Sequence, residues 1–367
     1  MKTSINRKFF AAGVALAGLA VVPSLRADVE VFFGGGNASQ NVLYDRVTNI
    51  LTGGFTSFIS PTNSTVRTFV GTISSQPGLG SVTIDISLLG AIQGLQDLAN
   101  QQNENNAYTN SLPLTVAISS TSPEAVGISS SPFVETKTLV VPYVFAKNAA
   151  KSPNLAGITN LTQRQAYYLE GAAGTLPSAF FGGSSTTDIV YLVARNTASA
   201  VRTETDANVY FTGTISTWAT NQASFVGLGG IYATTPIGQP VPDPNGGQGG
   251  GSAVRAQVNA ITNSIGTVAV QDLGSLTPIA YEGVPFSVTN VETGSYPLWG
   301  YEHWFWQKTG SAAPTANQLV VINALLSAVT NATFQTTSPV FVGNFVPYSG
   351  LQVKRDADGG PITSLLY

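Results

Sequence analysis

Apolar and polar residues alternate along the chain in two spacings, which predict strands followed by helices. A β-rich run at 29–33 leads into the Gly-rich turn at 34–39, and apolar residues then recur at helical spacing over 42–51. This order predicts a strand, a turn and a helix, with Asn37 or Ser39 as the helix N-cap.

The same spacings predict further elements along the rest of the chain. Strands are predicted at 66–70, 82–86, 114–118, 138–145, 188–194 and 265–270, helices at 88–98, 252–260 and 317–329, and a polar loop at 100–106. Pro142 lies inside one strand and cannot donate to a sheet ladder, so it predicts an edge, a bulge or a change of partner strand. Thr162 and Gln165 form a capping box before a further helix. Alternating strands and helices indicate an α/β protein.

The composition is that of a folded protein with an unusually uncharged surface. Only 10% of the 367 residues are charged, against about 25% in an average soluble protein. The 43% hydrophobic content supplies a core and excludes intrinsic disorder. A chain of this length suggests about two domains, or two lobes of one, at roughly 100–200 residues each.

The scarce residue types exclude several kinds of chemistry. The absence of Cys rules out disulfides, thiolate nucleophiles and Cys-ligated zinc, and His303 is the only histidine. A centre built from several histidines is therefore impossible in one chain, and we expect no metal and no cofactor. No basic cluster is present, which excludes nucleic acid as a partner because phosphate binding needs several cations on one face.

Residues 1–27 are typical of a secretory signal. Three cations precede an apolar run at 9–22, and cleavage is predicted after Ala27. The run is shorter than the roughly 20 apolar residues of a membrane span. We therefore expect a periplasmic or extracellular protein that is not membrane-anchored after cleavage. Cleavage removes four of the 16 Lys and Arg and none of the 19 Asp and Glu, which leaves a net charge of −7.

Three turns are candidate anion sites because each lies between a predicted strand and a predicted helix. They are 34–39, 195–202 and 249–252. A helix N-terminus exposes unpaired N–H groups and a partial positive charge, so it can hold an anion without a cationic side chain. An acidic chain does not attract anions from a distance, so any such site must be local.

The middle turn carries the strongest candidate residues. Arg195 follows a predicted buried strand, where a guanidinium can bind an oxyanion through two parallel hydrogen bonds. Ser199 can add its hydroxyl and its backbone N–H. The alternative is that Arg195 pairs with Glu204 or Asp206, which is equally compatible with the sequence.

The Arg195-x-x-x-Ser199 pattern, followed by small residues, resembles the ligand loop of the phosphate-type periplasmic substrate-binding proteins. Further segments resemble that family in the expected order: the opening strand and first ligand loop at 29–39, a crossing strand at 138–148, a Leu-Thr helix at 161–169, a Gly-led helix and strand at 251–268, and a Tyr-Pro-Leu segment at 296–301. Together they span most of residues 28–350.

The resemblance implies an α/β type II periplasmic-binding fold, in which a hinge of two crossing segments joins two lobes. Lobe one would comprise 28–142 plus 266–367, and lobe two 143–265. The implied ligand lies between the lobes, where helix N-termini converge. The implied ligand residues are Ala38, Ser39, Arg195, Ser199 and Ser252.

The chain departs from the family pattern at three places. Ser199-Ala200-Val201 stands where the family commonly has Ser-Gly-Thr. No Asp occurs at 129–132, where the family carries a carboxylate that accepts the proton of hydrogen phosphate, and 80–89 has no clear Gly-Ser-Gly match. Orthophosphate, another oxyanion, a larger ligand and no small ligand therefore all remain open.

The resemblance implies an exported binding protein that takes a small oxyanion, without catalysis, and works with an inner-membrane ABC permease. The alternative is a secreted structural or surface interaction protein that keeps the fold without the ligand site. A nucleophile elbow of the Gly-x-Ser-x-Gly type is absent. His303, beside three tryptophans, is expected to be half-buried and bonded to backbone rather than to stack on a ligand or act as a base.

Overall fold

The computed structural model describes residues 29–51, 54–173, 175–210, 216–218, 240–242 and 247–365. The predicted signal segment lies outside the described residues.

Strands and helices alternate through much of the described chain. In chain order the strands are β1 (Val29–Gly35), β2 (Thr56–Ile59), β3 (Val66–Gly71), β4 (Val82–Ser87), β5 (Asn103–Asn105), β6 (Ser111–Pro113), β7 (Val116–Ser119), β8 (Phe133–Lys147), β9 (Asn160–Leu161), β10 (Tyr191–Val193), β11 (Ser216–Trp218), β12 (Pro240–Pro242), β13 (Ser264–Ala269), β14 (Thr277–Tyr281), β15 (Trp299–Gln307), β16 (Val346–Pro347), β17 (Val353–Lys354) and β18 (Thr363–Ser364). The helices are α1 (Gln40–Ile50), α2 (Ala91–Asn100), α3 (Gln163–Ala172), α4 (Ala200–Val209), α5 (Gly251–Ala260), α6 (Val288–Glu292), α7 (Ala316–Val329) and α8 (Ala332–Thr337).

Twelve of these strands form one sheet. Its main order is β10-β13-β8-β15-β7-β1-β4-β3-β2, with β14 and β16 also paired to β8 and β9 paired to β14. The pairs β1–β4, β1–β7 and β10–β13 are parallel, whereas β8 pairs antiparallel with β15 and β13. The sheet thus has two parallel-containing halves that meet at the antiparallel strands β8 and β15.

Strand β8 joins the two halves of the sheet. It is 15 residues long. Its first part, through Pro142, pairs with β15, and its second part, from Tyr143 to Lys147, pairs with β13. The change of partner falls directly after Pro142, which confirms one of the three readings of that proline. Because Pro has no N–H to donate, the ladder is weakest where the strand leaves one partner for the other.

Helices cover both faces of the half that contains β1. Val31 and Phe33 belong to the large apolar core that includes the buried side chains of α1 and α7, while Phe32 packs with Leu95 and Leu98 of α2. A strand that is buried on both faces is expected to be a nearly continuous apolar run, as 31–33 is.

The predicted helices at 88–98, 252–260 and 317–329 are confirmed as α2, α5 and α7. The prediction of a loop at 100–106 is wrong in part, because β5 lies there and forms a hairpin with β6. The Asn106 side-chain oxygen accepts hydrogen bonds from the N–H groups of Tyr108 and Asn110 and so builds the turn. Strands this short and polar show no hydrophobic period, so pattern analysis misses them.

One helical stretch, Ala316–Thr337, is long and apolar enough to cross a membrane by length and composition. In the fold it consists of α7 and α8, separated where Asn331 caps the start of α8. Val321, Ile322 and Leu325 of α7 are buried in the core. A core helix of a soluble protein meets the same criterion.

Gly94 should be essential where α2 crosses β1, and this can be tested by substitution. A Cβ at position 94 would lie 2.5 Å from the Cα of Gly35, which is backbone and cannot move aside. We expect Gly94→Ala to lower the free energy of unfolding by about 1–3 kcal/mol, as overpacking does, despite the better helix propensity of Ala. Denaturant unfolding measures this.

Gly78→Ala is the matched control, since nothing lies within 4 Å of a Cβ at that position. We expect it to change stability by less than about 0.5 kcal/mol. Equal stability of the two variants would contradict the close approach of α2 to β1.

Candidate functional site

Four helix N-termini converge on a cleft between the two halves of the sheet. They belong to α1 and α2 on one side and to α4 and α5 on the other. The cleft is lined by Gly36, Asn37, Ala38, Leu89, Gly90, Ala91, Ser120, Arg195, Asn196, Ala198, Ser199, Ala200, Val201, Gly249, Ala269 and Asp272. Its enclosed centre measures only about 20 Å³, room for about one water molecule.

The cleft helices differ from the others in how their first turns are capped. None of α1, α2, α4 and α5 has a side-chain hydrogen bond at its N-cap residue. The other four helices of the described chain, α3, α6, α7 and α8, all have one, from a Thr, Ser or Asn. Capping is the ordinary way to satisfy first-turn N–H groups. Some first-turn N–H groups of the cleft helices donate to backbone carbonyls, as those of Ile92 and Arg202 do, but no side-chain cap competes with a ligand for the others.

Arg195 is buried at the floor of the cleft, 6% exposed. Its Nε and one terminal nitrogen donate to the carbonyl oxygens of Gln248 and Gly249, at 3.2 and 3.1 Å. Burial lowers its pKa to about 10, and nearby Asp272 opposes that change. Its guanidinium therefore stays charged at neutral pH.

The expected alternative, an ion pair between Arg195 and Glu204 or Asp206, is not what the structure shows. Asp206 pairs with Arg202 on α4 at 3.7 Å. Glu204 instead lies near the hinge, where the Tyr143 hydroxyl donates to it at 3.3 Å. Neither acid is among the residues that line the cleft.

Ser199 lies in the cleft as the N-cap residue of α4 and is 4% exposed. Its hydroxyl oxygen has no hydrogen-bond partner in the part of the chain that the structure describes. A buried, unpaired hydroxyl is costly unless something else satisfies it. Of the five predicted ligand residues, Ser199 has the side chain most available to a ligand.

Ala38 and Ser39 lie at the start of α1 but face different surroundings. Ala38 lines the cleft, whereas the Ser39 hydroxyl hydrogen-bonds the carboxyl group of Glu302 on β15. Glu302 is 2% exposed, and burial raises its pKa to about 7 although Ser39 lowers it in part. Ser39 thus positions α1 on the sheet through its side chain and has only its backbone left for a ligand.

Ser252 is exposed and lies outside the enclosed centre of the cleft, in an adjoining opening that also includes Asn37 and Asp272. The first residue of α5, Gly251, is packed against the Asp272 carboxylate so closely that a Cβ would lie 2.1 Å from Oδ2. The N-terminus of α5 therefore already faces a negative charge. The structure brings Ala38, Arg195 and Ser199 together and leaves Ser252 at the edge.

Sequence reasoning missed two features of the cleft. The N-terminus of α2, at Gly90 and Ala91, has no Ser or Thr that would mark it as a ligand turn. Asp272 follows β13 in a single helical turn, and burial raises its pKa while Arg195 and Arg255 lower it. Its position just after a predicted strand was the available signal, because such strand ends face the cleft in α/β folds.

No family model and no curated protein sequence matches this chain. Among solved structures, it is similar to a protein assigned as a phosphate ABC transporter substrate-binding protein, with bound phosphate, from Clostridium perfringens, at TM-score 0.53 and 13% identity over 83% of this chain and 95% of that one. It is also similar to an ABC-type phosphate transport receptor from Vibrio cholerae, at TM-score 0.50 and 13% identity over 81% and 93% of the two chains.

The chain has the two-lobed type II periplasmic-binding fold. At this identity the likeness shows the fold alone, and it confirms the fold that the sequence predicted. Two long hydrogen bonds cross the cleft of this periplasmic-binding fold: Ile92 N–H to the Ala198 carbonyl at 3.5 Å, and the Gln271 amide to the Asn37 carbonyl at 3.4 Å. Bonds of this length are weak, so they oppose opening only slightly.

His303 lies in β15, outside the cleft lining. The expected bond to backbone is replaced by a 2.6 Å contact between its Nδ1 and Oε1 of Glu135, and its ring stacks on Phe305. The contact with His303 lowers the pKa of Glu135. At 3% exposed, His303 is more buried than predicted, because both faces of β15 are covered.

Glu302 should make stability depend on pH. Its folded pKa of about 7 exceeds the ordinary 4.5, so its contribution is fully present below 4.5 and is lost as pH rises to about 7. As the pH rises from 4.5 to 7, we expect the free energy of unfolding of Glu302→Gln to increase relative to that of wild type by on the order of 3 kcal/mol, since one pKa unit is about 1.4 kcal/mol. Denaturant unfolding across pH 4 to 8 measures this.

Glu124→Gln serves as the control, because Glu124 is exposed. A Glu302→Gln profile parallel to that of wild type would show that Glu302 is ionised throughout and would contradict its buried, protonated state.

Proposed function

We propose that this protein is an exported solute-binding protein that holds a small oxyanion, with phosphate among the candidates, between its lobes without catalysing a reaction. The observation that carries the proposal is the convergence of uncapped helix N-termini on Arg195 and Ser199, while every capped helix of the described chain lies elsewhere. The two similar solved structures support it, since both are described as phosphate-transport binding proteins.

The proposed site binds through backbone donors and one cation. The first-turn N–H groups of α1, α2 and α4 that do not donate to a backbone carbonyl supply hydrogen bonds, and the helices present their positive ends. The Arg195 guanidinium is already held by two carbonyl groups, so its side chain loses little conformational freedom on binding. Ser199 adds a hydroxyl that has no competing partner among the described residues. These contacts act locally and do not require a positive surface.

Binding would involve motion of the lobes about β8. We propose the lobe division of 28–142 plus 266–367 against 143–265, which the partner change after Pro142 supports at its first boundary. The second boundary of that division falls inside β13. Because β13 pairs with the lobe-two part of β8 and with β10, we propose to move this boundary to the segment between β13 and β15, which assigns Gln271 and Asp272 to lobe two. Hinge closure around a ligand is a common motion of two-lobed binding proteins. The proposed partner is an inner-membrane ABC permease.

The alternative function is a secreted structural or surface protein that keeps the fold without binding a ligand. The observation that favours it is the enclosed centre of about 20 Å³, which is too small for a tetrahedral oxyanion unless the lobes separate. The two functions differ in whether any anion stabilises the protein.

Thermal unfolding with a panel of oxyanions tests the proposal. A ligand at about 100 times its dissociation constant should add roughly 2.7 kcal/mol, a shift of a few degrees in Tm. We expect at least one oxyanion to give this shift. Ser199→Ala should reduce it without lowering Tm in the absence of ligand, because no bond of the described chain is lost. Arg195→Met should abolish it.

Arg164→Met is the control for the loss of a cation, since Arg164 lies on the exposed surface of α3. If no oxyanion shifts Tm, or if the shift survives in Arg195→Met, the binding proposal is wrong and the structural alternative takes its place.

A further inference from the structure

A second, larger chamber adjoins the cleft. It is lined by Asn37, Gln40, Asn41, Ser64, Thr65, Gly251, Ser252, Gln271 and Asp272, and its space measures about 260 Å³ against about 20 Å³ in the cleft. Asn37 and Asp272 line both spaces. The two spaces therefore adjoin at these two residues, and a single ligand can reach both once the lobes separate. We call the larger one the mouth chamber.

The lining of the mouth chamber excludes several chemical groups. Apart from Gly251, each lining residue carries an amide, a hydroxyl or a carboxylate. With no aromatic or aliphatic side chain among the described lining residues, an acyl chain or a nucleobase would gain little from entering. With no Lys or Arg there, and with the Asp272 carboxylate present, a second anionic group would be repelled.

The remaining chemistry is that of a neutral group rich in hydroxyls. Amide side chains present both a donor and an acceptor, as hydroxyl groups also do, and a carboxylate accepts a hydroxyl proton. Gln40 and Asn41 lie on the first turn of α1, and Ser252 lies on the first turn of α5, on opposite walls of the chamber. A small polyol or monosaccharide placed between them would meet hydrogen-bonding groups on both sides.

We propose that the ligand is a phosphate ester of a small polyol or sugar, whose anionic group lies at Arg195 and Ser199 and whose hydroxyls lie in the mouth chamber. This inference rests on the proposed function, because it assumes that the cleft holds the anionic group. Orthophosphate would leave the chamber empty, whereas an ester fills both spaces. Asp272, at the junction, accepts a hydrogen bond from the first hydroxyl of the ester.

The experiment compares affinities by calorimetry on the full protein. The probes are inorganic phosphate, glycerol 3-phosphate, glucose 6-phosphate, aminoethyl phosphate and free glucose. We expect one of the two hydroxyl-bearing esters to bind at least tenfold more tightly than inorganic phosphate, the size of one or two added hydrogen bonds. The double variant Gln40→Ala/Asn41→Ala should remove that preference and leave the affinity for inorganic phosphate within about twofold, since both side chains line the mouth chamber and neither lines the cleft.

Asn323→Ala is the matched control, because Asn323 is an exposed amide on α7, outside both spaces. Gln40 is only partly buried and Asn41 is exposed, so the double variant should keep its Tm, which verifies folding.

The possible failures are distinguishable. If inorganic phosphate binds as tightly as both esters, and if that binding is lost in Arg195→Met, the ester proposal is overturned and the binding function remains. Tighter binding of aminoethyl phosphate would assign the chamber to a cationic group and overturn the polyol class. If free glucose binds as tightly as its phosphate, or if no probe binds, the oxyanion function itself fails together with this inference.

Discussion

The two-lobed fold and its cleft depend on one strand, β8, that pairs with two different strands along its length. β8 pairs with β15 as far as Pro142 and with β13 from Tyr143 onward, so one continuous backbone carries both halves of the sheet. Because β8 is one continuous strand, its two parts cannot shift relative to each other. Its pairing with β15 in one half and with β13 in the other therefore fixes the register of the two halves relative to each other. The cleft exists because the helices on the two sides begin where strands on either side of this junction end.

Electrostatics in the cleft is local because the chain as a whole is acidic and sparsely charged. A single buried guanidinium, Arg195, is balanced by carbonyl oxygens and by the nearby Asp272 carboxylate. Nearby, burial keeps the carboxyl of Glu302 protonated to about pH 7, so it adds little negative charge behind α1 below that pH. The uncapped first turns of the cleft helices add positive potential in the cleft, where Arg195 is the only cationic side chain among the described lining residues.

Much of the fold was predictable because it rests on local signals. The buried strand at 82–86 alternates apolar residues with Thr83 and Asp85, and the strand at 265–270 is apolar apart from Gly266 and Thr267. The Thr162 capping box is a pattern within four residues. Arg195 and Ser199 were found because a strand end and a helix start are both readable in sequence. The hairpin of β5 and β6 was missed because Asn106, and not a hydrophobic period, builds its turn.

The sequence by itself determined the α/β class, the order of elements and the candidates at the ends of strands, since periodicity and capping depend on neighbouring residues. Only the tertiary structure decided which candidates meet. It placed Asp272, 77 residues beyond Arg195 in the numbering, beside that arginine, and it turned the Ser39 hydroxyl toward Glu302 and Ser252 toward the edge. Arg195 and Asp272 meet because the strands that precede them, β10 and β13, are parallel neighbours in the sheet, and no local pattern encodes that pairing.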